Sequence, residues 1–320
     1  MTAAPTTLPA RRRFPLRFGD ALLYGVTGLF GVGAIALVVA IAYKLVTGAE
    51  LAYSKFGLGF ITGKVWNPVT NEFGALNFIW GTLMTSFFAL LIAGPLAIAI
   101  ALFLTELAPR WLRTPVGTLV ELLAAIPSVV LGLWGILVLI PILNKHVEPW
   151  LHKYLGFIPL FGEPNGSGFG YMAAILVLTI MTVPIVASVS RELFQSVPTD
   201  LEEGALALGS TRWEMIRGVI LPYTRPGIVA AVILGLGRAL GEAIAVTQVI
   251  GGASSFSWNL FATGDTIASR IASQYQGIPS NLGRSSLVYL AVILLVIAII
   301  VNVAAQLIVR RFEVQRTGGS

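Results

Sequence analysis

The chain has 320 residues, of which 56% are hydrophobic and only 11% are Asp, Glu, Lys or Arg. A soluble domain of this size usually has about a quarter charged residues, so the composition excludes an ordinary water-soluble protein. Cysteine is absent, which excludes disulfide frameworks, thiolate metal sites and cysteine nucleophiles.

Six apolar runs are long enough to cross a bilayer, whose hydrocarbon core needs about 20 helical residues. They cover 21–46, 79–104, 116–143, 172–190, 228–250 and 286–309. The sequence therefore predicts an all-α, polytopic membrane protein with one six-helix domain over 21–312, flanked by tails over 1–20 and 313–320. A basic cluster precedes the first run, as in a signal peptide, but no small-residue cleavage site is evident and we expect an uncleaved helix.

Basic residues divide unequally between the two sides of these spans. Thirteen Lys and Arg residues fall in the tails and in the loops after spans two and four, against seven near 47–78, 144–171 and 251–285. Basic residues accumulate on the cytoplasmic side, so we predict cytoplasmic termini and call the latter three loops outer. The same rule explains the net charge of +6, and no nucleic-acid partner is expected.

The middle outer loop, 144–171, is rich in proline and glycine and is predicted to be irregular chain. It carries the two histidines, His146 and His152, whose six-residue spacing is poor for a metal pair. We expect no metal site.

The inner loop over 191–225 carries the clearest helix signals outside the spans. It has two capping-box pairs, a glycine suited to the left-handed end of a helix and a proline expected to end the second helix: Thr199 with Glu202, Thr211 with Glu214, Gly209 and Pro222. Two short helices are predicted. Leucines at 201, 206 and 208 give the first helix an apolar surface without a lipid span, and this surface is expected to meet a partner protein.

The same loop resembles a known motif. It reads Glu203-Gly204-Ala205, three residues, Gly209, nine residues, Val219-x-Leu221-Pro222. This is similar to the EAA loop of ABC importer permeases, with Gly204 replacing Ala and Val219 replacing Ile. The resemblance implies the type I importer permease (MetI-like) fold and a coupling helix that docks on an ATP-hydrolysing subunit. It assigns that coupling to Glu203, Gly204, Ala205, Leu206, Gly209, Leu221 and Pro222.

Two further segments narrow the resemblance to the phosphate permeases of that family. They begin Glu121-Leu-Leu-Ala-Ala-Ile-Pro127-Ser128 and Gly237-Arg238-Ala-Leu-Gly241-Glu242. The Trp134-Gly135 ending of the first and the long first outer loop favour the PstC type over the PstA type. The implied partners are a PstA-type permease, two ATP-binding subunits, an extracytoplasmic phosphate-binding protein and the lipid of a bacterial cytoplasmic membrane.

No nucleotide site is visible in this chain. Its only Gly-Lys pair, at 63–64, is followed by Val65 and lies in an outer loop, so it is not a P-loop. We therefore expect no catalytic residues and no cofactor in this chain, with ATP and Mg²⁺ used by a partner subunit.

Apart from Lys44 near the end of a span, three charged residues lie inside the predicted spans: Glu121, Arg238 and Glu242. A charge at the centre of a span costs at least about 2.5–3.5 kcal/mol on insertion scales, so each is a functional candidate. Glu121 lies near the inner edge of span three. It is either a transport residue or an interfacial carboxylate paired with Arg110 or Arg113.

Arg238 lies near the middle of span five, and Glu242 follows one helical turn later on the same face. A guanidinium fork can bind phosphate oxygens through two parallel hydrogen bonds, and Glu242 would neutralise it when the passage is empty. The alternative is a structural ion pair in a helix packed closely through Gly235, Gly237 and Gly241.

Ser128 and Thr247 are weaker candidates along the same route, with helix–helix hydrogen bonding as their alternative role. Together, these features and the resemblance predict that the chain is the permease subunit of an ATP-driven phosphate importer and forms half of the translocation pathway. Two alternatives stay open: a permease for another oxyanion, sulfate or molybdate, and an ion-coupled secondary carrier.

Overall fold

A computed structural model describes the backbone of residues 18–317 and the side chains of residues 19–307. The basic residues at 11–17 that entered the orientation argument lie outside the described residues, as do the side chains of Arg310, Arg311 and Arg316. The chain divides into two compact units, one ending at Thr47 and the other beginning at Gly48. Helix α1 (Phe18–Gly48) is the described element of the first unit.

Helices dominate the second unit. In chain order, with three-residue or longer α-helices and two short strands labelled, it contains α2 (Glu50–Phe56), α3 (Gly59–Thr62), β1 (Trp66–Asn67), β2 (Glu72–Phe73), α4 (Leu76–Leu102), α5 (Arg110–Ala125), α6 (Ser128–Trp134), α7 (Ile140–Ile142), α8 (Glu148–Leu155), α9 (Tyr171–Gln195), α10 (Thr199–Ala207), α11 (Arg212–Met215), α12 (Leu221–Gly241), α13 (Ile244–Val249), α14 (Ile267–Gln274) and α15 (Asn281–Thr317). Four π-helical turns join some of these helices, at Phe103–Leu107, Gly135–Leu139, Leu143–Val147 and Ile216–Ile220. The strands form one antiparallel pair, with Trp66 opposite Phe73.

Six helical stretches of the described chain are long and apolar enough to cross a membrane, which confirms the predicted number. They are Gly19–Gly48, Leu76–Leu107, Ser128–Leu155, Tyr171–Gln195, Arg212–Gly241 and Asn281–Leu307. The all-α, six-span prediction therefore holds, although the third and fifth spans begin and end elsewhere than predicted.

The third span is displaced towards the outer side. The sequence predicted 116–143, but α5 ends at Ala125 and the span runs over Ser128–Leu155. Proline disfavours helical backbone in the residue before it, and Ile126, directly before Pro127, is extended with ψ 126°. The span then continues through α8, so the first part of the loop predicted as irregular over 144–171 is helical.

The fifth span was also predicted incorrectly at its start. Pro222 does not end the second loop helix; it is the second residue of α12, and the helical path is continuous from Arg212 to Gly241. Proline lacks the N–H that an interior helical residue donates, and the π-helical turn at Ile216–Ile220 immediately before it changes that hydrogen-bond pattern.

The centre of the second unit is the pairing of α4 with α9. Ala89, Ala93 and Ala97 are fully buried at four-residue spacing along α4. Small residues on one helical stripe allow two helices to approach closely in a membrane. Val183 and Ala187 of α9 belong to the same buried cluster as Ala93 and Ala97. This pair forms the frame against which α12 and the functional candidates are placed.

Of the three connections predicted to lie on the outer side, the third contacts both of the others. Trp66 donates its indole N–H to Gln274 Oε1 at 2.9 Å, and the backbone N–H of Leu260 donates to Leu160 O at 2.9 Å. At the opposite end, Arg212 of α11 donates to the carbonyl of Glu106, in the last turn of span two. The alternation of the loops between two ends matches the prediction, whereas the cytoplasmic assignment of the termini stays a prediction.

Candidate functional site

The Arg238 and Glu242 side chains meet where the fifth span breaks. Helix α12 ends at Gly241, and Glu242 itself has extended backbone, φ −71° and ψ 117°. Arg238 Nη2 lies 3.5 Å from Glu242 Oε2, so the predicted pair is present although Glu242 is not part of a continuous helix over 228–250. The Glu242 Oε1 atom accepts a hydrogen bond from the backbone N–H of Ala245 at 3.3 Å, which ties the carboxylate to α13.

The two members of the pair differ in exposure. The Glu242 side chain is 8% exposed, whereas that of Arg238 is 42% exposed. Within the described part of the chain, Glu242 is the only polar partner of Arg238, and 3.5 Å is long for a charge-assisted hydrogen bond. The carboxylate is therefore fixed and buried, and the guanidinium keeps most of its five N–H donors for another oxyanion.

Of the three glycines expected to allow close packing, only Gly235 does so. A Cβ at Gly235 would lie 2.7–2.8 Å from the methyl groups of Val186 and Thr182, so α12 crosses α9 there. A Cβ at Gly237 or Gly241 would meet no atom within 4 Å. Within the described chain, packing against another helix therefore involves Gly235 but not Gly237 or Gly241.

Thr247 and Ser128, the two weaker candidates, lie in different environments. The Thr247 hydroxyl donates to Ala243 O at 2.7 Å and lies 2.9 Å from Ser269 Oγ. Thr247 also lines a hollow of about 420 Å³ at the outer end of α13, together with Gln248 and Thr263. Ser128 begins α6 and has no hydrogen-bond partner among the described residues, and it does not line that hollow.

The inner loop forms two helices, as predicted, with different caps. Thr211 and Glu214 form the expected capping box, with Thr211 N–H donating to Glu214 Oε2 at 2.8 Å. The box at Thr199 and Glu202 was wrong: Pro198 occupies the cap position, and Thr199 is already the first helical residue. Gly209 has φ +86°, the left-handed conformation predicted for it.

The residues assigned to coupling lie mostly at the surface of this loop. Glu203, Gly204, Gly209 and Pro222 are exposed, whereas Ala205 and Leu221 pack against a buried cluster that includes Phe194 and Met215. The side chain of Leu206 is 44% exposed, and those of Leu201 and Leu208 are 45% and 90% exposed. The loop therefore presents apolar side chains that the described chain does not cover.

Glu121 is neither inside a span nor paired with Arg110 or Arg113. It lies on α5, and its Oε1 atom is 3.4 Å from Arg191 Nη1. The error follows from the displaced third span, because α5 precedes Pro127 and is amphipathic. The Glu121 side chain is 63% exposed, so this is a surface ion pair.

The structure contains a buried ion pair that was not predicted from the sequence. Asp265 Oδ2 lies 2.8 Å from Arg270 Nε, and the two side chains are 1% and 7% exposed. Arg270 also donates to Gly252 O at 2.9 Å and lies over the Phe78 ring. From the sequence, Arg270 is predicted only as a charge of the third outer loop. The helix cap Thr266 and the amphipathic helix α14 could have been predicted from the sequence, but the burial of the pair could not.

Replacing Asp265 with Asn should destabilise the chain strongly, because it leaves a buried guanidinium without a countercharge, a change that typically costs about 3–5 kcal/mol. Thermal unfolding of the full-length chain in nanodiscs measures this as a lower midpoint. Glu121→Gln is the matched control, since an exposed pair contributes only about 0–1 kcal/mol. Equal midpoints for the two variants would contradict a stabilising role of the buried pair.

Residues 93–314 match the family described as binding-protein-dependent transport system inner membrane component. The PstC phosphate transport system permease protein of Pasteurella multocida is 44% identical over 299 residues, covering 92% of each chain. The protein of that name from Mesorhizobium japonicum is 43% identical over 330 residues, covering 99% of this chain and 100% of the other.

Solved structures agree in fold. A permease chain of a bacterial ABC transporter that imports the acidic polysaccharide alginate aligns over 90% of this chain and 98% of its own, with TM-score 0.59 and 21% identity. A chain of the inward-facing MetNI methionine ABC transporter aligns over 78% and 99%, with TM-score 0.56 and 22% identity. These matches confirm the predicted importer permease fold. The chain therefore belongs to the binding-protein-dependent transport system inner membrane component family and, within it, to the PstC-type phosphate transport permeases.

Proposed function

We propose that this chain is the membrane permease subunit of an ATP-driven phosphate importer and forms half of its translocation pathway. The observation that carries the proposal is the exposed guanidinium of Arg238 in the fifth span, which retains free donors beside the buried, fixed carboxylate directly after that span. An arginine fork matches phosphate oxygens, and its attraction for an anion is strong where water is excluded. The names of the relatives agree with this substrate.

Glu242 limits how tightly the anion binds. When the passage is empty, its carboxylate neutralises Arg238 from 3.5 Å away. When phosphate enters, the carboxylate competes for the guanidinium and so prevents the anion from binding too tightly to leave. Thr247 and Ser128 remain weaker proposed contacts on the same route, Thr247 through the hollow at the outer end of α13.

The inner loop transmits movement from the ATP-hydrolysing partners. Its exposed residues Glu203, Gly204, Leu206 and Gly209 are the proposed docking surface, and Ala205 packs against the buried cluster that also contains Leu221. Because the path from Arg212 to Gly241 is continuous helix, a force on the loop reaches Arg238 through one rigid element. This chain provides the translocation pathway and the coupling helix, and the partner subunits bind ATP and Mg²⁺ and hydrolyse the ATP.

The proposed complex contains a PstA-type permease beside this chain, two ATP-binding subunits on the cytoplasmic side and a phosphate-binding protein on the outer side. It lies in a bacterial cytoplasmic membrane with both termini of this chain cytoplasmic. The structural relatives are parts of ABC importers, and one was solved with its sugar-bound periplasmic protein, which supports an assembly of this kind.

Uptake by vesicles that contain the reconstituted complex tests the function. We expect ATP-dependent accumulation of phosphate from micromolar concentrations that excess sulfate or molybdate does not reduce. Equal competition by sulfate would indicate a permease for another oxyanion. Uptake that persists without the ATP-hydrolysing subunits would indicate a secondary carrier.

Glu242→Gln should change substrate preference. Phosphate keeps a proton near neutral pH and can donate it to a carboxylate, whereas sulfate has no such proton and is repelled. A hydrogen bond to a charged group contributes about 1.5–3 kcal/mol, so we expect the preference for phosphate over sulfate to fall roughly tenfold or more. Competitive uptake of the two anions measures it. Unchanged transport together with an unchanged preference would leave only a packing role for Glu242.

A further inference from the structure

A cavity with a charged lining lies at the inner end of the second unit. It has a volume of about 430 Å³ and lies between the inner ends of the second and fourth spans, α5 and the loop helices. Its charged and hydroxyl-bearing lining is Glu106, Arg113, Arg191, Thr199, Glu202 and Arg212. Arg238 is not part of this lining, so the cavity is separate from the proposed transport site.

The three arginines of this cavity are oriented but largely unused. Arg113 Nε donates to Ala108 O at 2.8 Å, and Arg212 Nη1 donates to Glu106 O at 3.3 Å. Arg191 Nη1 lies 3.4 Å from the exposed Glu121. Each guanidinium has five N–H donors, and among the described residues each uses one of them. Three anchored forks therefore face one cavity with donors to spare.

The two carboxylates of the cavity do not neutralise these arginines. Within the side chains that the structure describes, neither Glu106 nor Glu202 lies within 4.0 Å of an arginine nitrogen of this cavity. Burial, reinforced by the nearby charge of Glu106, raises the pKa of Glu202. Even with both carboxylates ionised, the three arginines leave the lining with a net charge of +1.

We propose that this cavity is a second anion site that binds a phosphate group, carried either by inorganic phosphate from the inner side or by an anionic phospholipid headgroup. Guanidinium forks bind phosphate oxygens in bidentate fashion, and the cavity brings three of them together. One wall is formed by Thr199, Glu202 and Arg212 of the inner loop and the other by the spans and α5. An occupant therefore bridges the loop to the helical bundle and holds it in place.

Binding to the purified full-length chain in nanodiscs tests the site, with two arms that separate the sources. In phosphatidylcholine discs, radiolabelled inorganic phosphate is the probe. In discs that contain phosphatidylglycerol, native mass spectrometry counts the retained anionic lipid. Saturable binding in the first arm identifies free phosphate, and retention of phosphatidylglycerol in the second identifies a headgroup. The absence of both would overturn the proposal.

Variants of the lining residues test whether the bound anion occupies this cavity. Arg113→Lys with Arg212→Lys keeps both charges but removes both forks, and we expect affinity to fall about tenfold or more in the arm that binds. Arg217→Ala, an exposed arginine outside the lining, should leave it unchanged. Glu202→Gln removes a repelling carboxylate and should tighten binding, which a merely structural role does not predict. Binding that survives the double lysine variant but is lost on Arg238→Lys would place the anion at the transport site and refute the proposal.

Discussion

Arg238→Lys is expected to lower ATP-driven phosphate uptake about 10–100-fold while leaving the complex assembled. Lysine keeps the positive charge but cannot form two parallel hydrogen bonds to phosphate oxygens. Losing one hydrogen bond to a charged group costs about 1.5–3 kcal/mol, which corresponds to that range of rates. Because Arg238 has no described polar partner except Glu242, the substitution removes little else from the fold.

The measurement compares initial uptake rates in vesicles with the amount of chain that co-purifies with its partners. Arg217→Lys is the matched control, since Arg217 is exposed on the π-helical turn before α12 and is not part of the proposed route. Normal uptake by the Arg238→Lys variant would refute the role of the guanidinium in the pathway. A parallel loss of assembly would assign Arg238 to structure.

Gly209→Pro is expected to abolish coupling, with loss of ATPase binding and of uptake. Gly209 has φ +86°, which glycine adopts readily, whereas proline is fixed near −65°. The substitution therefore forces the backbone after α10 into another conformation and displaces the neighbouring exposed leucines, Leu206 and Leu208. Glu203→Lys tests the same surface without disturbing the backbone, because Glu203 is exposed on α10.

Pull-down of the ATP-binding subunits by the membrane-embedded chain measures both effects. Gly204→Ala is the control, because a Cβ at this position meets no atom within 4 Å and restores the residue that the EAA pattern has there. We expect it to bind the ATPase at least as well as the unmodified chain. If Gly209→Pro and Glu203→Lys also bind normally, the loop is not the docking surface.

Hydropathy predicted the number of spans well, because a run of about 20 apolar residues has few alternatives to crossing the bilayer. It failed where proline changed the backbone without changing hydropathy. The apolar run continues through Ile126, but Pro127 separates the amphipathic α5 from the span, so Glu121 was assigned to the wrong environment. The opposite error occurred at Pro222, which lies within the continuous helical path from Arg212 to Gly241 and does not end it.

Only part of the candidate site was predicted, because the sequence does not indicate backbone breaks or tertiary contacts. The spacing of Arg238 and Glu242 indicated that they meet, and they do, but nothing in the spacing indicated the break after Gly241 that buries the carboxylate. The Asp265 and Arg270 pair lies in a polar loop, where charge is usually solvated. Its burial depends on Phe78 and Gly252, which are distant in sequence, so only tertiary structure brings the pair out of water.

The central claim is that the chain around Arg238 lines the anion passage, and a single cysteine tests it most directly. The natural chain has no cysteine, and Gly241 has open space for a side chain. In the complex with cysteine-free partners, a negatively charged, membrane-impermeant thiol reagent should modify Gly241→Cys, and phosphate should slow the reaction more than sulfate does. Val69→Cys, exposed in the first outer loop, should react equally with and without phosphate. If Gly241→Cys does not react, or reacts at a rate that phosphate leaves unchanged, Arg238 does not line the passage.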